Sequence, residues 1–308
     1  MTPWEERAGA RGADAAPVAE AADAGAARAR CDACPRGCSL AEGQVGFCRA
    51  RACRGGRVVC ESYGRVTSLA VDPIEKKPIA DWRRGSTVLS VGSYGCNLRC
   101  PFCQNWQISQ AGADGVGWRE LSPGRLVSLA RELAEKDPRM AGVAYTYNEP
   151  LVGWEYVRDC ARLAHEAGLA NVLVSNGCAT GRVLDGLAGL VDAANIDLKG
   201  PDQRFYDSCS GYSDAVRQTV ARLAADPSCH LEVCTLVIPG ENDRDEDVDA
   251  IAGWLASLPC AGDPITLHLT RFFPRWRLTD RPPTPPECVY HLADVARRHL
   301  ERVRVGNC

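Results

Sequence analysis

The sequence predicts an α/β chain: a partial, open (β/α)6 barrel with a small cysteine-rich metal-binding module in front of it. Two observations carry this expectation. From Ser86 onward, apolar β-rich runs of about 4 to 8 residues alternate with amphipathic helical stretches, the order that repeated βα units and a parallel sheet require. Nine of the 17 cysteines of this 308-residue chain also crowd into two short stretches, one from Cys31 to Cys60 and one from Cys96 to Cys103.

Composition narrows the function classes. Lys+Arg 36 against Asp+Glu 39 leaves a formal net charge of -3, which argues against a nucleic acid as the default partner. No apolar run approaches the roughly 20 residues of a membrane span, and the N-terminus has no charged start followed by an apolar stretch, so no secretory signal is read. An odd cysteine count without an export signal reads as metal binding in a reducing cytoplasm, not as a disulfide scaffold. Cys160, Cys178, Cys234 and Cys288 fall inside apolar helix or strand patterns and are expected as small buried hydrophobes.

Taken in order, residues 1–28 are rich in Ala, Gly, Asp and Arg and have too few large apolar side chains to offset the entropy of ordering, so a tail is expected. In 29–62, Cys31, Cys34, Cys38 and Cys48 are spaced C-x2-C-x3-C-x9-C and separated by turn formers Pro35, Gly37, Gly43 and Gly46. Four soft ligands so arranged suit a tetrathiolate site for zinc or an auxiliary iron–sulfur cluster; an unmetallated loop is the alternative. Cys53 and Cys60 are left unassigned. Residues 63–85 are expected as a linker, whose charged run Glu75, Lys76 and Lys77 either faces the active site or is a solvated loop, and is left unassigned.

The barrel is expected over 86–308. Strands are predicted near 87–91, 142–147, 171–174, 194–198, 231–237, 265–269 and 303–305, with clear helices at 123–135, 154–166 and 243–256 between them. The first of these helices carries Leu126, Leu129, Ala130 and Leu133 on one face. In parallel α/β barrels chemistry collects at the C-terminal strand ends. Here those ends read VGSYGCNLRCPFCQNWQISQ, TYNEP, Ser175-Asn176-Gly177, Asp197-Leu198-Lys199-Gly200, Ile238-Pro239-Gly240-Glu241-Asn242, His268-Leu269-Thr270-Arg271 and Gly306-Asn307. Each is polar or glycine-bearing. In the first, Cys96, Cys100 and Cys103 are spaced C-x3-C-x2-C, three thiolates that can hold three irons of a [4Fe–4S] cube and leave the fourth open.

The same loop, with Phe102 immediately before the third cysteine, resembles the signature of radical S-adenosylmethionine (radical SAM) enzymes. The longer run CNLRCPFCQNWQISQ resembles the branch containing pyruvate formate-lyase activases and the radical SAM member of the AmmeMemoRadiSam system. The cysteine-rich leader and VDPIEKKPIADW are similar to the latter. The resemblance implies a TIM-like partial barrel, a catalytic [4Fe–4S] cluster on Cys96, Cys100 and Cys103, and S-adenosylmethionine on its open iron. It implies that Asn148 and Glu149 accept hydrogen bonds from the methionine ammonium and that Ser175 and Asn176 hold ribose and carboxylate. Asp197 and Lys199 are then expected near the ribose and the reacting carbon, Ile238 beside adenine, and Phe102 and Asn307 among the cofactor contacts. Two departures stand out: TYNEP lacks the paired glycines of the family motif, and Val174 occupies the place of an aspartate in the activases.

The implied reaction is reductive cleavage of S-adenosylmethionine to a 5′-deoxyadenosyl radical that takes hydrogen from a small-molecule or peptide substrate. Alternatives are activation of a glycyl-radical protein partner, or a non-catalytic zinc or iron–sulfur module. An electron donor such as a flavodoxin or ferredoxin is implied, and neither nucleic acid nor membrane. His268 and Arg271 are candidates for touching the second substrate, with an interior satisfied histidine and a structural ion pair as the competing readings. Phe272, Phe273, Trp276 and Arg281–Pro286 are expected as a lid, a docking surface or simple packing. The family pattern continues past Gly-Asn, so a further stretch beyond Asn307-Cys308 is an expectation too.

Overall fold

The computed structural model describes residues 27–308, so nearly all of the predicted tail lies outside the described residues. Eight strands of one sheet lie side by side in chain order: Ser68–Pro73 (β1), Thr87–Gly92 (β2), Met140–Tyr145 (β3), Ala170–Ser175 (β4), Ala193–Asp197 (β5), His230–Val237 (β6), Thr266–Arg271 (β7) and Arg302–Gly306 (β8). The strands from β2 onward are parallel. Between them run Pro123–Ala134 (α1), Trp154–Glu166 (α2), Gly181–Leu187 (α3), Ser213–Ala224 (α4), Asp245–Ala256 (α5) and Pro286–Ala296 (α6). The six expected βα units and the final strand are all present.

Local chemistry explains the helix positions. Ser122 Oγ accepts the amide of Arg125 at 3.3 Å and Pro123 takes the first helical position, which starts α1. That helix buries Leu126, Val127 and Ala130, while α2 buries Trp154, Val157, Cys160, Ala161 and Ala164, each against the outer face of the sheet.

The segment expected as a linker is instead part of the barrel. Its β1 pairs antiparallel with β2, Ser68 opposite Gly92 and Pro73 opposite Thr87. Residues 74–82 then cross the foot of the barrel. Ile74 and Ile79 are fully buried among Val88, Ala141, Ala144, Val172 and Ala193, the inward-facing side chains of β2 to β5. Beyond them the segment is tied to the remaining strands one by one. Asn195 Nδ2 of β5 donates to the Pro78 carbonyl at 2.8 Å, and the amides of Ala80 and Asp81 donate to Glu232 of β6, both at 2.9 Å. Thr266 of β7 and Arg304 of β8 donate to the Asp81 carboxylate at 2.9 and 2.7 Å. A barrel that does not close on itself would leave its apolar interior wet at the foot, and this segment covers it.

The cysteine-rich module packs against the start of α2 and the cysteine loop that follows β2. Arg51, at 3% exposure, forks onto Glu155 of α2 with bonds of 2.8 and 2.7 Å and donates to the Val152 carbonyl at 3.0 Å. No helix among the described residues is long and apolar enough to cross a membrane.

Candidate active site

The site is built from the top of β2 outward. β2 ends at Gly92, and the cysteine loop that follows is held by the TYNEP segment after β3. Asn148 Oδ1 accepts the Ser93 amide at 2.8 Å, and its Nδ2 donates to the carbonyls of Tyr94 and Gly95, both at 3.1 Å. Asn148 is therefore a bracket for the loop, and its side-chain oxygen keeps one lone-pair direction for a ligand.

Glu149 is 3% exposed and does similar work on the next strand. Its Oε1 accepts Ser175 Oγ at 2.7 Å and the Leu151 amide at 2.9 Å, and its Oε2 accepts the Asn176 amide at 2.8 Å. Burial outweighs these bonds and pushes the carboxyl up to about 7. Three donors leave the carboxylate one lone-pair direction for a ligand. Ser175 Oγ also accepts the Gly177 amide, and Asn176 Nδ2 donates to Asn97 at 2.9 Å and reaches Cys96 Sγ at 3.5 Å.

The absent glycine pair of TYNEP is replaced in conformation. Tyr147 has φ +72°, the left-handed region glycine normally fills, and a Cβ on Gly92 would lie 2.9 Å from the Tyr147 Cβ and Cδ2. The tyrosine ring occupies that space. Its hydroxyl donates to Asp72 Oδ2 at 2.6 Å, and Lys77 Nζ stands 4.6 Å from the ring centroid while bonding Asp72 at 2.7 Å. Burial works against the Asp72 charge, but the bonds from Lys76, Lys77 and Tyr147 hold its carboxyl well below the usual range. Of the two readings of the charged run, Lys77, at 3% exposure, takes the inward one, while Lys76 stays at the surface.

On the far side of the loop, Lys199 Nζ bonds Asp197 at 2.8 Å and lies 5.9 Å from the ring centroid of Phe102, itself buried. Burial opposes the Lys199 charge, yet Asp197 and the Cys100 sulfur hold it protonated. Ile238 is fully buried, and its amide donates to Asn242 Oδ1 at 2.7 Å; Asn242 Nδ2 ties that turn to the Lys199 carbonyl at 2.9 Å. Asn307 is exposed at the end of β8 with φ +62°.

Cys96, Cys100 and Cys103 face this assembly. Burial raises the Cys96 and Cys103 thiols, with mutual repulsion adding to it; for Cys100 a hydrogen bond with the buried Cys209 acts first. Close thiols that resist ionisation need a metal cation to become ligands together.

His268 and Arg271 do not join this group. His268 Nε2 bonds Glu232 Oε2 at 2.5 Å near the foot of the barrel and is 6% exposed, the interior reading of that residue. Arg271 alternates with it to the helix-facing side of β7, donates to the Thr284 carbonyl at 2.6 Å and lies over Phe273. Tyr147, Lys77 and Asn242 stand in stretches the sequence marks but without an assigned role, and Asp72 and Cys209 are missed. The phrase VDPIEKK contains Asp72; nothing local marks Cys209.

Residues 90–252 match the family model described as the radical SAM superfamily. The chain belongs to that superfamily. It is 37% identical over 281 residues to an uncharacterized protein of Methanocaldococcus jannaschii, covering 91% of this chain and 81% of that one. It is 22% identical over 202 residues to the 4-hydroxyphenylacetate decarboxylase activating enzyme of Clostridioides difficile, covering 65% of this chain and 60% of that one. A radical SAM methyltransferase from Sphaerobacter thermophilus shares the fold with a TM-score of 0.54 at 18% identity, over 71% of this chain and 66% of that chain.

A radical SAM enzyme carries a [4Fe–4S] cluster and S-adenosylmethionine, and the residues present fit both. Three buried thiols lie on one loop, with the Lys199 ammonium close to Cys100 and a buried carboxylate, Glu149, close to Cys96.

Proposed function

We propose that this radical SAM enzyme removes hydrogen from a small-molecule or peptide substrate lodged inside the barrel. Cys96, Cys100 and Cys103 would hold the cluster, and the strand-end groups Glu149, Ser175, Asn176, Asp197 and Lys199 would hold S-adenosylmethionine. Bound together and reduced by an external donor such as a flavodoxin or ferredoxin, these cofactors supply a 5′-deoxyadenosyl radical. Glu149 keeps one acceptor direction for an ammonium, and Lys199 offers a fixed cation beside Asp197. Residues 74–82 keep water out from below.

The single observation that carries this reading is the Tyr147–Asp72–Lys77 group: a polar wall inside the barrel, directly under the TYNEP loop and covered from the foot. Anaerobic reconstitution, reduction with dithionite and assay of 5′-deoxyadenosine test it. Product formation should be lost when Cys96, Cys100 and Cys103 are all alanine; undiminished formation in that variant would end the mechanism.

A second reading, activation of a glycyl-radical protein partner, is favoured by the mouth of the barrel. Trp106, just past the cysteines, stacks on Trp276 with ring centroids 6.3 Å apart, and both Trp106 and Phe273 are exposed. Such an aromatic rim suits a protein surface. A glycyl-radical signal on a co-incubated large protein would favour this reading over the first.

A further inference from the structure

We propose that Cys31, Cys34, Cys38 and Cys48 hold a second [4Fe–4S] cluster, closed by four thiolates and set directly against the catalytic one. The chain first brings the four together. The amide of Cys31 donates to the Cys38 carbonyl at 2.9 Å, closing a loop with Cys34 at its turn. Gly46, two residues before Cys48, lies against Cys38: a Cβ there would be 3.8 Å from the Cys38 sulfur.

The neighbouring site favours a cluster over zinc. Four thiolates can take either, but zinc passes no electrons, whereas these cysteines back onto the loop of Cys96, Cys100 and Cys103, with the Cys96 amide on the Cys48 carbonyl. A cluster there would stand beside one that acts only after receiving an electron.

Charge supports two anionic clusters side by side. Arg36 and Arg99 lie over the Phe47 ring at 3.7 and 4.0 Å, next to Cys48. Arg99 donates to the carbonyls of Cys96, Leu98 and Phe47, and Arg36 to that of Ser210 while its Nε is buried without a partner. Neither forms an ion pair with a carboxylate among the described residues. Two guanidiniums wedged between two cysteine groups leave cationic charge that the thiolate-bound clusters would balance.

The two sites share a wall: the Cys96 amide donates to the Cys48 carbonyl at 3.1 Å. Four thiolates leave no open iron, so the second cluster has no place for S-adenosylmethionine. Its chemistry is passage of one electron, received from a low-potential one-electron donor, to the catalytic cluster, with no bond made or broken.

The inference takes the catalytic role of Cys96, Cys100 and Cys103 from the proposed function, and the test separates the two. The full chain with those three residues changed to Ala is reconstituted with iron and sulfide in the presence of zinc. It should retain about four irons and give, on reduction, a paramagnetic signal that S-adenosylmethionine leaves unchanged. Zinc in place of iron, or no metal, overturns the proposal. The wild-type chain, should that variant fail to fold, should hold about eight irons; about four irons alone, or four with zinc, overturns it equally. The Cys31/Cys34/Cys38/Cys48→Ser variant should keep about four irons whose signal does respond to S-adenosylmethionine; silence there counts against the catalytic reading only. In the reduced wild type, spin coupling should broaden the spectrum beyond the sum of the two variants, and a simple sum overturns the shared wall.

Discussion

The main-chain amide of Asp81 donates to Oε1 of Glu232 at 2.9 Å, joining the segment that floors the barrel to the start of β6. Ala80 does the same at 2.9 Å, His230 Nε2 lies at 3.0 Å from the same oxygen, and His268 Nε2 at 2.5 Å from the other. One fully buried carboxylate thus holds the floor, two strands and two imidazoles.

Burial opposes the charge of Glu232, but the histidines and amides win and lower it from 4.5 to about 2. A folded value below the unfolded one means stability present above pH 4.5 and lost as pH falls toward 2. His230 is opposite: burial lowers it, Glu232 and Asp263 raise it further, so its contribution is full below pH 6.5 and lost as pH rises through its folded value. Glu232→Gln should cost about 3 kcal/mol between pH 4.5 and 6.5. Urea unfolding checks this, and an unchanged midpoint in that window would refute it.

Gly92→Ala places a methyl 2.9 Å from the Tyr147 side chain and from the Thr146 carbonyl. Displacing the ring should cost about 2 kcal/mol. The double variant Gly92→Ala/Tyr147→Gly should lose less than the sum of the single ones, because the clash with the ring vanishes. Thermal melts of the four proteins measure the coupling, and strict additivity would show that the ring does not depend on Gly92.

Glu149→Ala removes the acceptor of Ser175, Leu151 and Asn176 at once. A loss of about 3 kcal/mol is expected. In the native chain, burial raises the carboxyl from 4.5 to about 7, so its ionisation costs stability as pH rises from 4.5 through about 7. Glu149→Gln should flatten that part of the profile relative to wild type, as read from melting temperature against pH; an unaltered slope would place the titration elsewhere.

Arg51→Ala leaves Glu155 and the Val152 carbonyl without their buried partner. The expected cost is about 3 kcal/mol. Limited proteolysis should then cut the cysteine-rich module before the barrel, and cleavage of both at one rate would mean that the pair does not anchor it.

How much was legible differs from feature to feature. The strands and the ends of α1 and α2 were readable to within a few residues, because alternation, Ser122 and Pro123 are local signals. β3 ends at Tyr145 and not Tyr147, since the left-handed turn at Tyr147 carries no sequence mark when the residue is not glycine. β1 was hidden in a stretch whose proline and charges look like a linker; it pairs as an edge strand, where Pro73 is tolerated.

By itself the sequence determined the cysteine spacing, the βα order and the polarity of each strand end, because ligand spacing and hydrophobic period act over a few neighbouring residues. Only the tertiary structure decided that Asn148 braces the cysteine loop, that His268 answers to Glu232, that Lys77 lies buried beside Tyr147, and that Cys48 touches Cys96. Those partners come from distant parts of the chain. Parallel pairing chooses which of them meet, and the cost of an unpartnered polar group in the barrel interior keeps them together.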